Sequence, residues 1–105
     1  MNIQDFEYNA ERATALLTAM ANKQRLMLLC RLVEGEASVN TLVQSLGLRQ
    51  STVSQHLAKL RESGFVSPRR DGQTIFYSLA GKEARAVLET LYHLYCDPQA
   101  DPVNS

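Results

Sequence analysis

The sequence has no uninterrupted apolar stretch approaching the roughly 20 residues that cross a bilayer, because charges break every such run within a few positions. A membrane-spanning protein is therefore not expected. Residues 1–8 hold Asp5 and Glu7 and lack the basic start and apolar middle of a secretion signal, so the chain is expected to stay in the cytoplasm. Catalytic patterns are equally scarce. There is no glycine-rich phosphate loop and no His-Glu-x-x-His, the carboxylates are scattered, and the two histidines, His56 and His93, fall on different predicted helices. Nothing calls for an enzyme, a cofactor or a metal. Net charge is missing too: 11 Lys and Arg face 11 Asp and Glu, an average that at first argues against a nucleic-acid partner.

The average conceals a segregation. Residues 49–70 carry five cations, Arg49, Lys59, Arg61, Arg69 and Arg70, against Glu62 alone, while the rest of the chain holds six cations against ten anions. One positive face is enough for a polyanion, since each neutralised phosphate releases condensed counterions whatever the far side carries. With 105 residues the chain is read as one domain, over residues 1–97. An apolar fraction of 45% in so small a domain suggests that a second subunit covers part of its apolar surface.

Periodicity predicts five helices with a hairpin before the last. Phe6, Ala10, Ala13, Leu17 and Met20 mark one apolar stripe on a helix from about residue 5 to 20. Asn22 caps a second helix whose buried stripe is Leu26, Leu29, Cys30 and Val33, and Gly35 stops it. Ser38 opens a short third helix with Leu42, Val43 and Leu46 inward and Gly47 at its end. From Gln50 to Ser63 a fourth helix sets Val53, Leu57 and Leu60 inward, with Ser51, Gln55, Lys59 and Glu62 opposite, and Gly64 closes it. Alternation follows: Phe65 to Arg70, an Asp71-Gly72 turn, then Gln73 to Leu79 with Ile75, Tyr77 and Leu79 on one face, the pattern of a β-hairpin with Pro68 on its free edge. The last helix, about Lys82 to Cys96, is apolar over more of its circumference (Ala84, Val87, Leu88, Leu91, Leu94, Tyr95) than one core face needs. Residues 98–105 hold two prolines and no apolar period, and are expected to be disordered.

Two short helices joined by a glycine-containing turn, the second polar outside, followed by a basic hairpin, describe a winged helix-turn-helix: mainly α with a small β-hairpin wing. Arg49, Gln50, Ser51, Thr52, Ser54, Gln55, His56 and Lys59 on the fourth helix, with Arg69, Arg70 and Gln73 on the wing, are the candidate contacts to double-stranded DNA. Gln pairs with adenine through two hydrogen bonds, and Ser donates or accepts at base edges or phosphates. Arg49 opposes the macrodipole at a helix start, and a phosphate there would reverse the sign. His56 lies nearer the apolar flank, where a structural hydrogen bond competes with a DNA contact. Any solvated helix shows Gln, Ser and Lys outside; the hairpin beside it is what raises the reading above that.

The run Gln50-Ser51-Thr52-Val53-Ser54-Gln55-His56-Leu57, then Leu60-Arg61-Glu62-Ser63-Gly64-Phe65-Val66, Gly72-Gln73 and Phe76-Tyr77-Ser78-Leu79, resembles the ArsR family of bacterial repressors over residues 10–96. The resemblance implies a homodimer built from the first and last helices, binding to imperfect inverted repeats, and weakened binding when an inducer is sensed. Arg49 departs from the family, many of whose members place a capping Ser there. Arsenic-sensing members carry Cys-x-Cys where this chain reads Ser38-Val39-Asn40, and the positions matching the zinc ligands of other members are Gly81, Glu83, Leu94 and Asp97, an unsuitable set for zinc.

Cys30 and Cys96 instead resemble the thiols of a thiol-sensing branch of that family, which implies redox or persulfide control through a bridge between them. Taken without the resemblance, a buried free Cys such as Cys30 is a small hydrophobe, whereas Cys96 ends a helix beside a polar tail. His93, one turn before Cys96, supports a thiolate if protonated or is simply a solvated residue. Three alternatives stay open: a metal sensor using both cysteines, a regulator in which both are structural, and an adaptor that keeps the fold without touching DNA.

Overall fold

Polar side chains cap the starts of the first three helices. In a computed structural model that describes residues 1–96, the elements run α1 (Ile3–Met20), α2 (Lys23–Val33), β1 (Ala37–Ser38), α3 (Val39–Leu46), α4 (Gln50–Glu62), β2 (Val66–Asp71), β3 (Thr74–Leu79) and α5 (Glu83–Tyr95). Asp97 and the tail expected to be disordered lie outside the described residues. Asn2 accepts from the Gln4 amide at 2.9 Å, so α1 begins at Ile3, earlier than the apolar stripe indicated. Asn22 accepts from the Arg25 amide and Ser38 from the Thr41 amide, each at 3.1 Å, which fixes the starts of α2 and α3 at the caps expected for them.

The end of α4 explains how the chain turns into the wing. Gly64, at φ +82°, occupies the left-handed region after the helix. Its amide donates to Arg61 O and the Phe65 amide to Leu60 O at 2.9 Å, the paired bonds of a Schellman closure. Phe65 then packs on the core beside Leu60.

The core is a cluster of leucines drawn from three helices. Leu28, Leu29, Leu32, Leu42, Val53, Leu57 and Leu60 are the large side chains buried to 1% exposure or less. α2 lies at the centre, touching α1, α3, α5 and β3. Its stripe is broader than read from spacing: Leu28 and Leu32 are buried, while Leu26, Cys30 and Val33 are half-buried at the edge. A helix with neighbours on several sides buries more than one 3.6-period stripe.

The wing differs from the expected hairpin in two respects. Asp71 pairs with Thr74, so the two-residue turn is Gly72-Gln73 rather than Asp71-Gly72. Gly72 has φ +64° and among the described residues no non-glycine residue has a positive φ, which suits a turn with glycine first; an Asp71-Gly72 turn of the mirror-image type would have forced Asp71 to positive φ. The second difference is an added strand: β1 pairs with β3, giving the order β1-β3-β2, with Ala37 opposite Tyr77 and Ser38 opposite Phe76. Pro68 lies on β2, an edge strand, as its missing N–H requires.

The α1 stripe is the largest departure. Only Leu16, Ala19 and Met20 are buried there, whereas Phe6 is 48% and Leu17 60% exposed. On α5 Ala84 and Leu88 enter the core, but Leu94 is 59% and Tyr95 80% exposed. Both helices turn an apolar face away from the protomer's own core. The radius of gyration, 15.3 Å, exceeds the about 13 Å of a compact domain of this length. No described helix is long and apolar enough to cross a membrane.

Candidate nucleic-acid interface and thiol pair

Burial of Val53, Leu57 and Leu60 fixes the rotation of α4 and so decides what it presents. Gln50, Ser51, Ser54, Gln55 and Lys59 are exposed on the outward side, as expected, and Thr52 is half-buried. Arg49 occupies the N-cap in extended conformation and its side chain makes no capping bond. The positive end of the helix dipole therefore opens beside an exposed guanidinium, a combination that attracts an anion.

His56 turns from this face toward α2. Its Nε2 lies 2.9 Å from Gln24 Oε1; an amide oxygen only accepts, so the ring donates through Nε2. Burial holds its pKa below the usual histidine value, and the charges of Arg25 and Lys59 push the same way. The structural role weighed for His56 is thus the one seen within the protomer. Gln24, which sets that role, is not visible in the sequence, since the two residues are far apart along the chain.

On the wing, Arg70 and Gln73 are exposed at and near the tip. Arg69 is engaged: Nε and Nη2 donate to Glu36 Oε2 and Oε1 at 2.9 and 2.6 Å, and the guanidinium carbon sits 4.9 Å from the Phe76 ring centroid. Between α3, the start of α4 and the hairpin lies a cleft of about 320 Å³ bordered by Asn40, Gln50, Ser54, Gln73 and Tyr77. The first turn of the outward helix and the wing therefore share one polar hollow.

The two cysteines stand apart from this face. Cys30 is half-buried on α2 against the core and Cys96 is exposed at the C-cap of α5; both are free thiols. Burial pushes the Cys30 pKa up, and Cys96 is near enough for its charge to add to the rise. The core-lined side therefore holds the thiol form, and the exposed end holds the accessible partner. Among the described residues no group of three or more His, Cys, Asp or Glu is placed to hold a metal ion.

Comparison with known proteins bears on the family and the fold. The family described as bacterial regulatory protein, arsR family, matches residues 22–67, which span α2 to the start of β2. The transcriptional activator HlyU of Vibrio cholerae is 49% identical over 96 residues, covering 91% of this chain and 89% of that protein. The structure of its reduced form superposes with a TM-score of 0.83 at 48% identity, covering 89% of this chain and 98% of that one. The repressor BigR of Xylella fastidiosa superposes with a TM-score of 0.86 at 44% identity, covering 91% and 98%. A homodimeric winged helix-turn-helix DNA-binding domain from Mycobacterium bovis aligns with a TM-score of 0.73 at 27% identity, covering 81% of this chain and 79% of that one.

Proposed function

The chain belongs to the arsR family of bacterial regulatory proteins, and from that premise we propose that it is a homodimeric transcription regulator that reads an imperfect inverted repeat and loses affinity when Cys30 and Cys96 are bridged. The observation that carries the DNA reading is the outward face of α4: five exposed polar side chains over a rotation fixed by three buried ones, beside a wing that shares its hollow. Gln50, Ser51, Ser54 and Gln55 contact base edges in the major groove, Thr52 lies at the flank, and Arg49, Lys59 and Arg70 meet the phosphates. Gln73 reaches forward from the wing turn. The exposed apolar faces of α1 and α5 supply the dimer contact, which sets two α4 helices one helical turn, about 34 Å, apart. The M. bovis domain, described as homodimeric and DNA-binding, supports the same assembly.

The relatives are an activator and a repressor, so the sign of regulation is left to promoter geometry. In a cytoplasm that keeps thiols reduced, a reversible pair serves as a sensor better than as a brace. Cys96, being exposed, attacks first, and Cys30 resolves. With hydrogen peroxide the two thiols lose two electrons and two protons to form a disulfide, and two waters leave. With a hydrogen polysulfide, internal sulfur atoms stay between the two cysteines and hydrogen sulfide leaves. A direct disulfide needs Cα atoms within roughly 4.4 to 6.8 Å, and retained sulfur tolerates a wider gap. Either bridge links α2 to α5 and shifts the dimer helices.

Two measurements test the reading, both on a duplex selected from random DNA with the reduced protein. Ser54→Ala and Gln55→Ala should each weaken binding by roughly 1 to 3 kcal/mol; a binding curve unchanged by both would leave α4 without a reading role. A Cys30→Ser, Cys96→Ser variant should bind as tightly after peroxide or polysulfide treatment as before. If it still releases the duplex, the switch lies elsewhere.

A further inference from the structure

We propose that Glu36 is a positioning residue for the wing: it holds Arg69 as an internal brace, leaving Arg70 as the cation that the wing offers to DNA. The proposal rests on the DNA reading above and refines it, since Arg69 and Arg70 are equivalent in the sequence.

Three groups engage the Arg69 guanidinium. Two of its nitrogens donate to the two oxygens of Glu36, the fork-to-fork arrangement that gives charge-assisted bonds their direction. A third, Nη1, lies 4.0 Å from Asp71 Oδ2. The Phe76 ring covers the flat face at 4.9 Å. Arg69 holds the Glu36 carboxyl below its usual pKa, chiefly through the hydrogen bond and then through its charge.

Strand order makes this more than a local pair. Arg69 lies opposite Phe76, and Phe76 opposite Ser38, across the order β2-β3-β1. Glu36 immediately precedes β1, and its carboxylate meets Arg69, whose guanidinium lies over the Phe76 ring. The ion pair therefore passes over β3 from one sheet edge to the other, a span of about two strand spacings, or 9.5 Å. At the near end β1 leads into Ser38, the cap of α3, and α3 packs on α4. The hairpin is thereby tied to the helix pair at a point separate from the turn.

Arg70 has the opposite disposition. It pairs with Ile75, so it shares the face of Ile75 and Tyr77, which border the hollow with Gln50 and Ser54. It is exposed, and among the described residues it enters no ion pair. Moving Arg69 to a phosphate would break both bonds to Glu36 and leave two carboxylates, Glu36 and Asp71, unpaired near a negative rail. Arg70 meets the same rail with nothing to break.

The test uses the full chain, a duplex selected with the wild type and a scrambled duplex of equal length, read by fluorescence anisotropy over a range of salt. Glu36→Gln and Arg69→Gln should each lower the preference for the selected duplex about fivefold, the effect of a well-formed surface pair. The exchanged variant Glu36→Arg, Arg69→Glu should bind more tightly than Arg69→Glu alone, because it rebuilds the pair in reverse. Arg70→Gln should reduce the slope of log affinity against log salt by about 1 per protomer. Tighter binding by Glu36→Gln, or an exchanged variant no better than Arg69→Glu, would show that Arg69 is itself a phosphate contact and overturn the brace. Should the wild type bind neither duplex, the DNA reading fails instead. Both residues are on the surface, and circular dichroism confirms that each variant is folded.

Discussion

At the scale of the residue, the two thiols differ by environment rather than by type. Cys30 packs against the core and Cys96 ends a helix in solvent. Since burial is the larger cause of the raised Cys30 pKa and Cys96 the smaller, neutral Cys30 persists to higher pH than an ordinary thiol. Iodoacetamide at neutral pH should therefore label Cys96 first. The Cys30 rate should still be climbing above the usual thiol range, and Cys96→Ser should move that profile to lower pH; equal labelling of both residues at every pH would contradict the assignment of attacker and resolver. Spacing alone put Cys30 on a buried stripe, and the structure puts it at that stripe's edge. The difference matters because a fully enclosed sulfur could not resolve an intermediate on its neighbour. Arg69 and His56 show the same limit in another form. Their candidate roles were legible as charge and ring on the right elements, but Glu36 and Gln24, which engage them, lie 33 and 32 positions away. Side-chain pairs at such separation leave no periodic trace.

At the scale of the element, α4 was the most readable part of the chain. Val53, Leu57 and Leu60 recur at i, i+4 and i+7, and all three are buried to 1% or less. That stripe also aims the outward residues, so stability and recognition share one rotation. Leu57→Ala should destabilise the fold by about 2 to 5 kcal/mol, the range for a large-to-small core change, measured as a lower urea midpoint. A change under 1 kcal/mol, the range of near-neutral surface sites, would mean that α4 is not anchored through this stripe. Strand β1 was not readable at all: two residues carry no alternation, and only the partner β3 defines them. The turn was misplaced by one residue because Asp71-Gly72 and Gly72-Gln73 both offer a glycine. Pairing of Asp71 with Thr74 selects the second.

At the scale of the whole molecule, α1 and α5 leave apolar faces outside the protomer's core, and the proposed dimer rests on them. The sequence showed more apolar surface than one core needs, and the protomer leaves Phe6, Leu17, Leu94 and Tyr95 outside. Spacing does not separate residues that would face a second subunit from those facing the core, because a 3.6 period is the same for either neighbour. In the proposed dimer, burial of that surface between two copies would place two α4 faces and two wings on one side, where a negatively charged rod would meet both. Net charge near zero is then no obstacle, since Arg49, Lys59 and Arg70 are exposed at the start of α4, along it and on the wing. The most direct measurement is hydroxyl-radical footprinting of a selected duplex with the reduced protein. Two protected patches on one face of the duplex, about 34 Å apart and lost together when Leu17→Asp disrupts the dimer, are the result expected of paired recognition helices. A single patch, or protection that survives in the monomer, would contradict it.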